Sequence, residues 1–112
     1  MKNPHLNRSL TLEEPLQVSD NAGGFVTSWT ILGILWAALK PASARETTSF
    51  GLPVSRAMYR ITVRAAATSS PRRPKPGQRM RIGIRLFLIE AVTEYDGDAR
   101  YLTCMAKEQV AS

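Results

Sequence analysis

Histidine and cysteine occur once each in the 112 residues, as His5 and Cys104. One of each cannot assemble the nitrogen and sulfur ligand sets that zinc takes, and a lone cysteine closes no internal disulfide. Cys104 lies in the run Leu102-Thr103-Cys104-Met105, which reads as strand, so it is expected to be a small buried hydrophobe. His5 falls in an expected N-terminal arm, residues 1–7. No stretch approaches the ~20 apolar residues of a membrane-spanning helix, and the first dozen residues lack the apolar centre of a secretory signal. Synthesis in a cytoplasm, with no membrane partner, is the expectation. Phosphate-cradling glycine patterns are missing as well. Asp96 and Asp98 flank Gly97, where a turn role accounts for them better than paired-carboxylate catalysis. With no nucleophile beside a base and no ligand cluster, the chain reads as a non-enzyme with no catalytic residue, cofactor or metal.

What is present is an ordinary globular composition, 44% hydrophobic and 21% charged, on a length suited to one core. One domain, 1–112, is therefore expected. The net charge of +6 is unevenly placed. Residues 1–54 are balanced, and residues 91–112 carry −2. Between 55 and 90, nine bases face only Glu90, a balance of +8.

Strand signals dominate. Leu10 and Leu12 alternate with polar neighbours in a strand expected to end near Pro15. Asp20-Asn21-Ala22-Gly23-Gly24 supplies turn chemistry, and Phe25 opens the return strand. Within Ile31-Leu32-Gly33-Ile34-Leu35-Trp36 no clean period appears, so a short helix stays open, while Gly33 suggests a break or bulge between two strands. Residues 41–56, small, polar and chain-breaking, read as a long loop. Tyr59, Ile61 and Val63 alternate with Arg60, Thr62 and Arg64, giving a strand with one apolar and one basic face. Residues 68–78 hold Pro71, Pro74 and Pro76 with Arg72, Arg73 and Lys75, and read as an exposed basic loop. A hairpin turns around Gly83 to Arg85, another at Asp96-Gly97, and a last strand runs from Tyr101 to Lys107. The fold class is mainly β: a small antiparallel barrel, or a sandwich, of five to seven strands with long loops.

The candidate functional residues follow from charge and size. Arg72, Arg73 and Lys75 on a proline-stiffened loop suit sequence-blind phosphate contact, with a solvated or protein-docking loop as the alternative. Arg60, Arg64, Arg79, Arg81 and Arg85 suit the polar outside of a barrel or half of a charged interface. Trp29 and Trp36 suit a core, the simpler reading, or an interface anchor.

Taken in order, these segments resemble one family. Asp20-Asn21-Ala22-Gly23-Gly24-Phe25 with Trp29 is similar to its Asp/Asn-Gly-Gly turn and following Trp. Leu35-Trp36-Ala37-Ala38-Leu39-Lys40-Pro41 with Arg45-Glu46 is similar to its Trp-Ala-x-x-x-Pro and Arg-Glu segment. Tyr59 to Arg64 resembles its central basic strand, Met80 to Val92 its closing hairpin, and Tyr101 to Cys104 its last strand. The family is the head-tail joining, or head-closure (stopper), proteins of tailed phages, and the likeness runs over residues 8–108. Eleven arginines against four lysines suit a GC-rich bacterial genome, where the resemblance implies genes of this kind in prophages and gene transfer agents, the latter being the preferred reading.

The resemblance implies a barrel subunit assembled with itself as a ring, dodecameric by the family. Portal or adaptor proteins would lie on the head side, tail terminator or tail proteins on the other, with non-specific contact to packaged DNA in the channel. Assembly would occur in the bacterial cytoplasm, and the finished subunit would sit at the head-tail junction. Channel-facing or docking loops fall first on residues 42–56, with Arg45, Glu46 and Arg56, and second on 69–77, with Arg72, Arg73 and Lys75. Two departures stand out: the Pro-Arg-Arg-Pro-Lys-Pro loop is unusually basic, and Ala44 stands where glycine is common. An independent nucleic-acid-binding small barrel is the alternative reading, motivated by the +8 segment.

Overall fold

The alternation at Tyr59 to Val63 becomes the inner wall of a closed sheet. The computed structural model describes residues 4–49, 52–97 and 99–109, with backbone only at 43–49 and 52–56. Six antiparallel strands, β1 (Arg8–Ser19), β2 (Phe25–Ser49), β3 (Leu52–Arg64), β4 (Arg79–Ile82), β5 (Arg85–Glu94) and β6 (Tyr101–Gln109), close in the order β1-β2-β3-β6-β5-β4. The sandwich alternative is thereby settled in favour of one closed sheet. Leu10, Leu12, Ala37, Ile61, Val63, Met80, Phe87, Ile89, Leu102, Cys104 and Ala106 fill the interior. These are alternate positions on all six strands, as the pleat requires. No buried side-chain polar atom among the described residues lacks a hydrogen-bond partner.

Two-residue and Asx turns join the hairpins as their residues dictate. Gly83, at φ +56°, turns β4 into β5 with Ile84 fully outside. At the β1–β2 turn, Asp20 Oδ1 accepts the amides of Ala22 (2.8 Å) and Gly24 (3.0 Å), while Asn21 and Gly23 take positive φ. The same two amide bonds hold the Asp20 carboxyl below its ordinary pKa.

Four expectations differ from what the chain does. β1 does not end near Pro15 but runs to Ser19, with Pro15 paired to Trp29. β4 covers β1 only at Thr11–Glu13, so beyond Glu13 the outer edge is unpaired and a residue without an N–H is tolerated there. Gly33 does not divide two strands: β2 is continuous over 25 residues, and the irregularity is a bulge at Leu32, where Leu12 pairs Gly33 and Glu13 pairs Ile31. Of the expected loop 41–56, the described residues 41–49 and 52–56 are strand. They are the far halves of β2 and β3, paired from Pro41↔Tyr59 out to Ser49↔Leu52 after a shift between Pro41 and Ser43. Here ladder continuity with the barrel outweighs the weak strand composition, and Pro41 again sits where β2 has no β1 partner. Finally, Trp36 is not in the core: it is 60% exposed on the outer face of β2.

The result is a barrel with two projecting β-hairpin arms. The β1–β2 arm, beyond Glu13 and Ile31, and the β2–β3 arm, beyond Pro41 and Met58, leave the closed sheet in different directions along one strand, β2.

Cys104 is buried in the interior, and burial pushes its thiol pKa up to about 12. The folded protein is therefore expected to resist maleimide at neutral pH, with full labelling on denaturation; rapid labelling of the native protein would contradict this packing.

Candidate functional site

Three clusters of charge lie on the barrel, and most of the basic segment proves to be internally engaged. The first closes one end of the barrel. Arg85 donates to Glu108 through Nε (2.8 Å) and Nη2 (3.1 Å), and to Tyr59 Oη at 3.1 Å. Its guanidinium also lies 5.0 Å from the Phe87 ring centre. These hydrogen bonds hold the Glu108 carboxyl below its ordinary pKa against the opposing effect of burial.

The second is a clamp on Glu13, whose carboxylate is buried on the outer face and accepts Arg79 Nε at 2.6 Å and Arg81 Nε at 3.1 Å. Burial acts to raise the Glu13 pKa, but the two hydrogen bonds and the two charges outweigh it and leave it lowered. Arg79 in turn stacks over Trp29, its guanidinium carbon 4.0 Å from the ring centre. Trp29 is thus half-buried beneath an arginine rather than in the interior.

The third is the basic loop between β3 and β4. It is folded back on the barrel rather than projecting: Pro74 and Gln78 are buried, the Lys75 amide donates to Gln78 Oε1, and Arg73 Nη1 donates to the Ala66 carbonyl at 2.8 Å. Arg72 lies across Gly33, where an added Cβ would stand 3.2 Å from Arg72 Nε. The bare backbone of Gly33 makes room for this crossing. Lys75 is exposed.

The other predicted group stands on the β2–β3 arm, where Arg45 pairs Arg56 and Glu46 pairs Ser55 in the ladder. The contacts of Arg72 and Arg73 run instead to Gly33 and to the Ala66 carbonyl. Asp98 and residues 1–3 and 50–51 of the expected arm and loop lie outside the described residues.

Sequence reasoning missed one pairing. Lys40 and Arg60 are direct cross-strand partners on the outer face of β2 and β3, and neither makes an ion pair among the described residues. Like charges set opposite in a sheet repel, so the arrangement costs stability without an anion between them. They flank a groove of about 560 Å³ that also takes in His5, Thr62, Tyr95 and Thr103. Arg60 was legible as the basic face of a strand, but Lys40 required the register. Among the described residues no group of three or more His, Cys, Asp or Glu side chains could hold a metal ion.

In this closed barrel Glu13 and Glu108 are bound to the protein's own arginines, while Lys40, Arg60, Phe25, Ile34 and Trp36 stand exposed on the outside as surfaces open to contact. The chain belongs to the phage head completion protein family, whose model matches residues 1–109. A solved chain of similar structure comes from the virion of a native gene transfer agent particle, at 42% identity and a TM-score of 0.83, covering 97% of this chain and 100% of that one. No curated protein matches the sequence. The family is one of structural particle components, and an enzyme does not fit it.

Proposed function

We propose that the protein is a head-closure (stopper) ring subunit of a gene transfer agent, joining the portal or adaptor to the tail and bordering the channel through which DNA passes. The observation that carries this reading is the likeness, over nearly the full length of both chains, to a chain of a gene transfer agent virion. The unpaired Lys40–Arg60 face supports it from the chemistry, since a phosphate backbone supplies the missing anions without regard to sequence. Cryo-electron microscopy of particles carrying the tagged protein is expected to show its density between head and tail, and its deletion to leave unjoined heads that lose DNA. Finding the protein only free in the cell would overturn the proposal.

The channel role has its own test in Lys40→Glu. The change converts a repulsive cross-strand pair into an attractive one, so stability should hold or rise by about 0.2–1 kcal/mol, while the yield of DNA-filled particles falls. Unchanged DNA retention would remove this face from the channel. The same exposed pair, with the +8 segment, favours an independent nucleic-acid-binding barrel as the second reading. That reading requires the free subunit to bind DNA tightly with a steep salt dependence, and titration at two salt concentrations separates the two.

A further inference from the structure

Among the described residues the β1–β2 arm is a two-stranded ribbon with no strand paired to either outer edge, and such ribbons are marginal without support. Its face continuing the barrel interior presents Leu16, Val18 and Val26, with Val18 directly opposite Val26; Phe25 at the tip is 69% exposed and Val26 54%. Apolar surface of this kind on a strand pair with open edges marks a contact site.

A recess of complementary character lies on the same chain. Where β3 ends at Arg64 and β2 continues with only β1 beside it, a notch of about 380 Å³ opens, lined by Leu6, Ile34, Leu35, Trp36 and Val63 and rimmed by Arg64 and Arg72. Trp36, an exposed indole beside an open apolar recess, is the residue type that anchors interfaces. Charge matches as well: from Glu14 to Ile31 the arm carries Glu14 and Asp20 and no base, whereas both charged residues of the notch are arginines.

The arm cannot fill its own notch. Val26 and Trp36 stand on one strand, ten residues and therefore about 33 Å of extended chain apart, and a hydrogen-bonded ribbon does not double back over that span. We propose that the Leu16, Val18 and Val26 face of one copy seats in the Trp36 notch of the next copy. The contact joins two different surfaces of the same chain, so it is heterologous and propagates from copy to copy until the rotation closes a ring. The inference rests on the ring reading above and names the surfaces that make the ring.

Cysteine cross-linking in assembled particles tests it, since the native Cys104 is buried and silent. Particles carrying Val26→Cys together with Trp36→Cys, treated with a short bismaleimide, should give a ladder of covalent multimers, and each single variant should lose it. Two results overturn the interface: no ladder from particles in which microscopy shows the protein as a ring, or dimers from Val26→Cys alone, which would mean that arm meets arm. Particles that contain the protein but no ring overturn the ring reading itself, and the interface with it. Both positions are exposed, and an unchanged melting temperature of each variant shows that the barrel is intact.

Discussion

Replacing Phe87 with alanine is expected to cost about 3–5 kcal/mol, a large share of the ~5–15 kcal/mol that holds a domain of this size together. Phe87 heads the fully buried side chains by volume, meets Tyr59 edge-to-face with ring centres 5.2 Å apart, and underlies the Arg85 guanidinium. Its removal therefore opens a cavity and also takes away the ring on which the Arg85–Glu108 pair rests. Urea denaturation should show a lower midpoint with a nearly unchanged slope. Phe87→Leu, which keeps most of the volume, should lose only about 1–2 kcal/mol. Equal losses in the two variants would mean that the aromatic packing, and not the volume, carries the effect.

The second large effect is expected at Glu13. Glu13→Gln removes the negative charge between Arg79 and Arg81, whose side chains are 17% and 37% exposed. Breaking a buried pair costs ~3–5 kcal/mol; water reaching Arg81 reduces this, and about 2–3 kcal/mol is expected. The pH dependence follows from the sign of the shift. Because the folded pKa lies below the ordinary value of 4.5, the Glu13 contribution is complete above that value and is lost as pH falls through the folded one. Glu108, also lowered, adds to the same acid limb. Stability should be flat from pH 7 to about 5 and then fall, and the fall should be shallower in Glu13→Gln. An identical acid slope in the variant would show that Glu13 is not the group responsible.

How far the sequence reveals this molecule depends on which physical signal each residue carries. Tyr59 to Val63 shows its barrel face outright, because period two and a hydrophobic interior coincide there. The turns at Asp20-Gly24 and Gly83 are equally legible, since positive φ and Asx bonding belong to particular residue types. Pro15 and Pro41 misled for the converse reason. Proline forbids a ladder bond only where the strand has a neighbour on that side, and which edges are bare is a property of the closed sheet. The arms were hidden by the same gap.

Charge was readable as a quantity and not as an arrangement. The excess of arginine between residues 55 and 90 is plain, yet Arg79, Arg81 and Arg85 find their acids, Glu13 and Glu108, at sequence separations of 66, 68 and 23. Arg73 reads from sequence as part of a basic loop, but nothing local foretells its bond to the Ala66 carbonyl. Lys40 lies in the segment whose charges sum to zero and Arg60 in the +8 segment, so their meeting as a couple of like charges emerges only when β2 and β3 are laid side by side.

The length of β2 has a mechanical consequence. Laid straight, its 25 residues would measure about 80 Å, yet the molecule is 50 Å in its longest dimension, so the strand is bent around the barrel like a bow. Its two ends are the two arms. A load on either tip is therefore shared between its two strands, one of which is always β2, and the bulges at Leu32 and near Ala42 are where the ladders that brace this strand are interrupted. Whatever grips one arm pulls on the same string that holds the other.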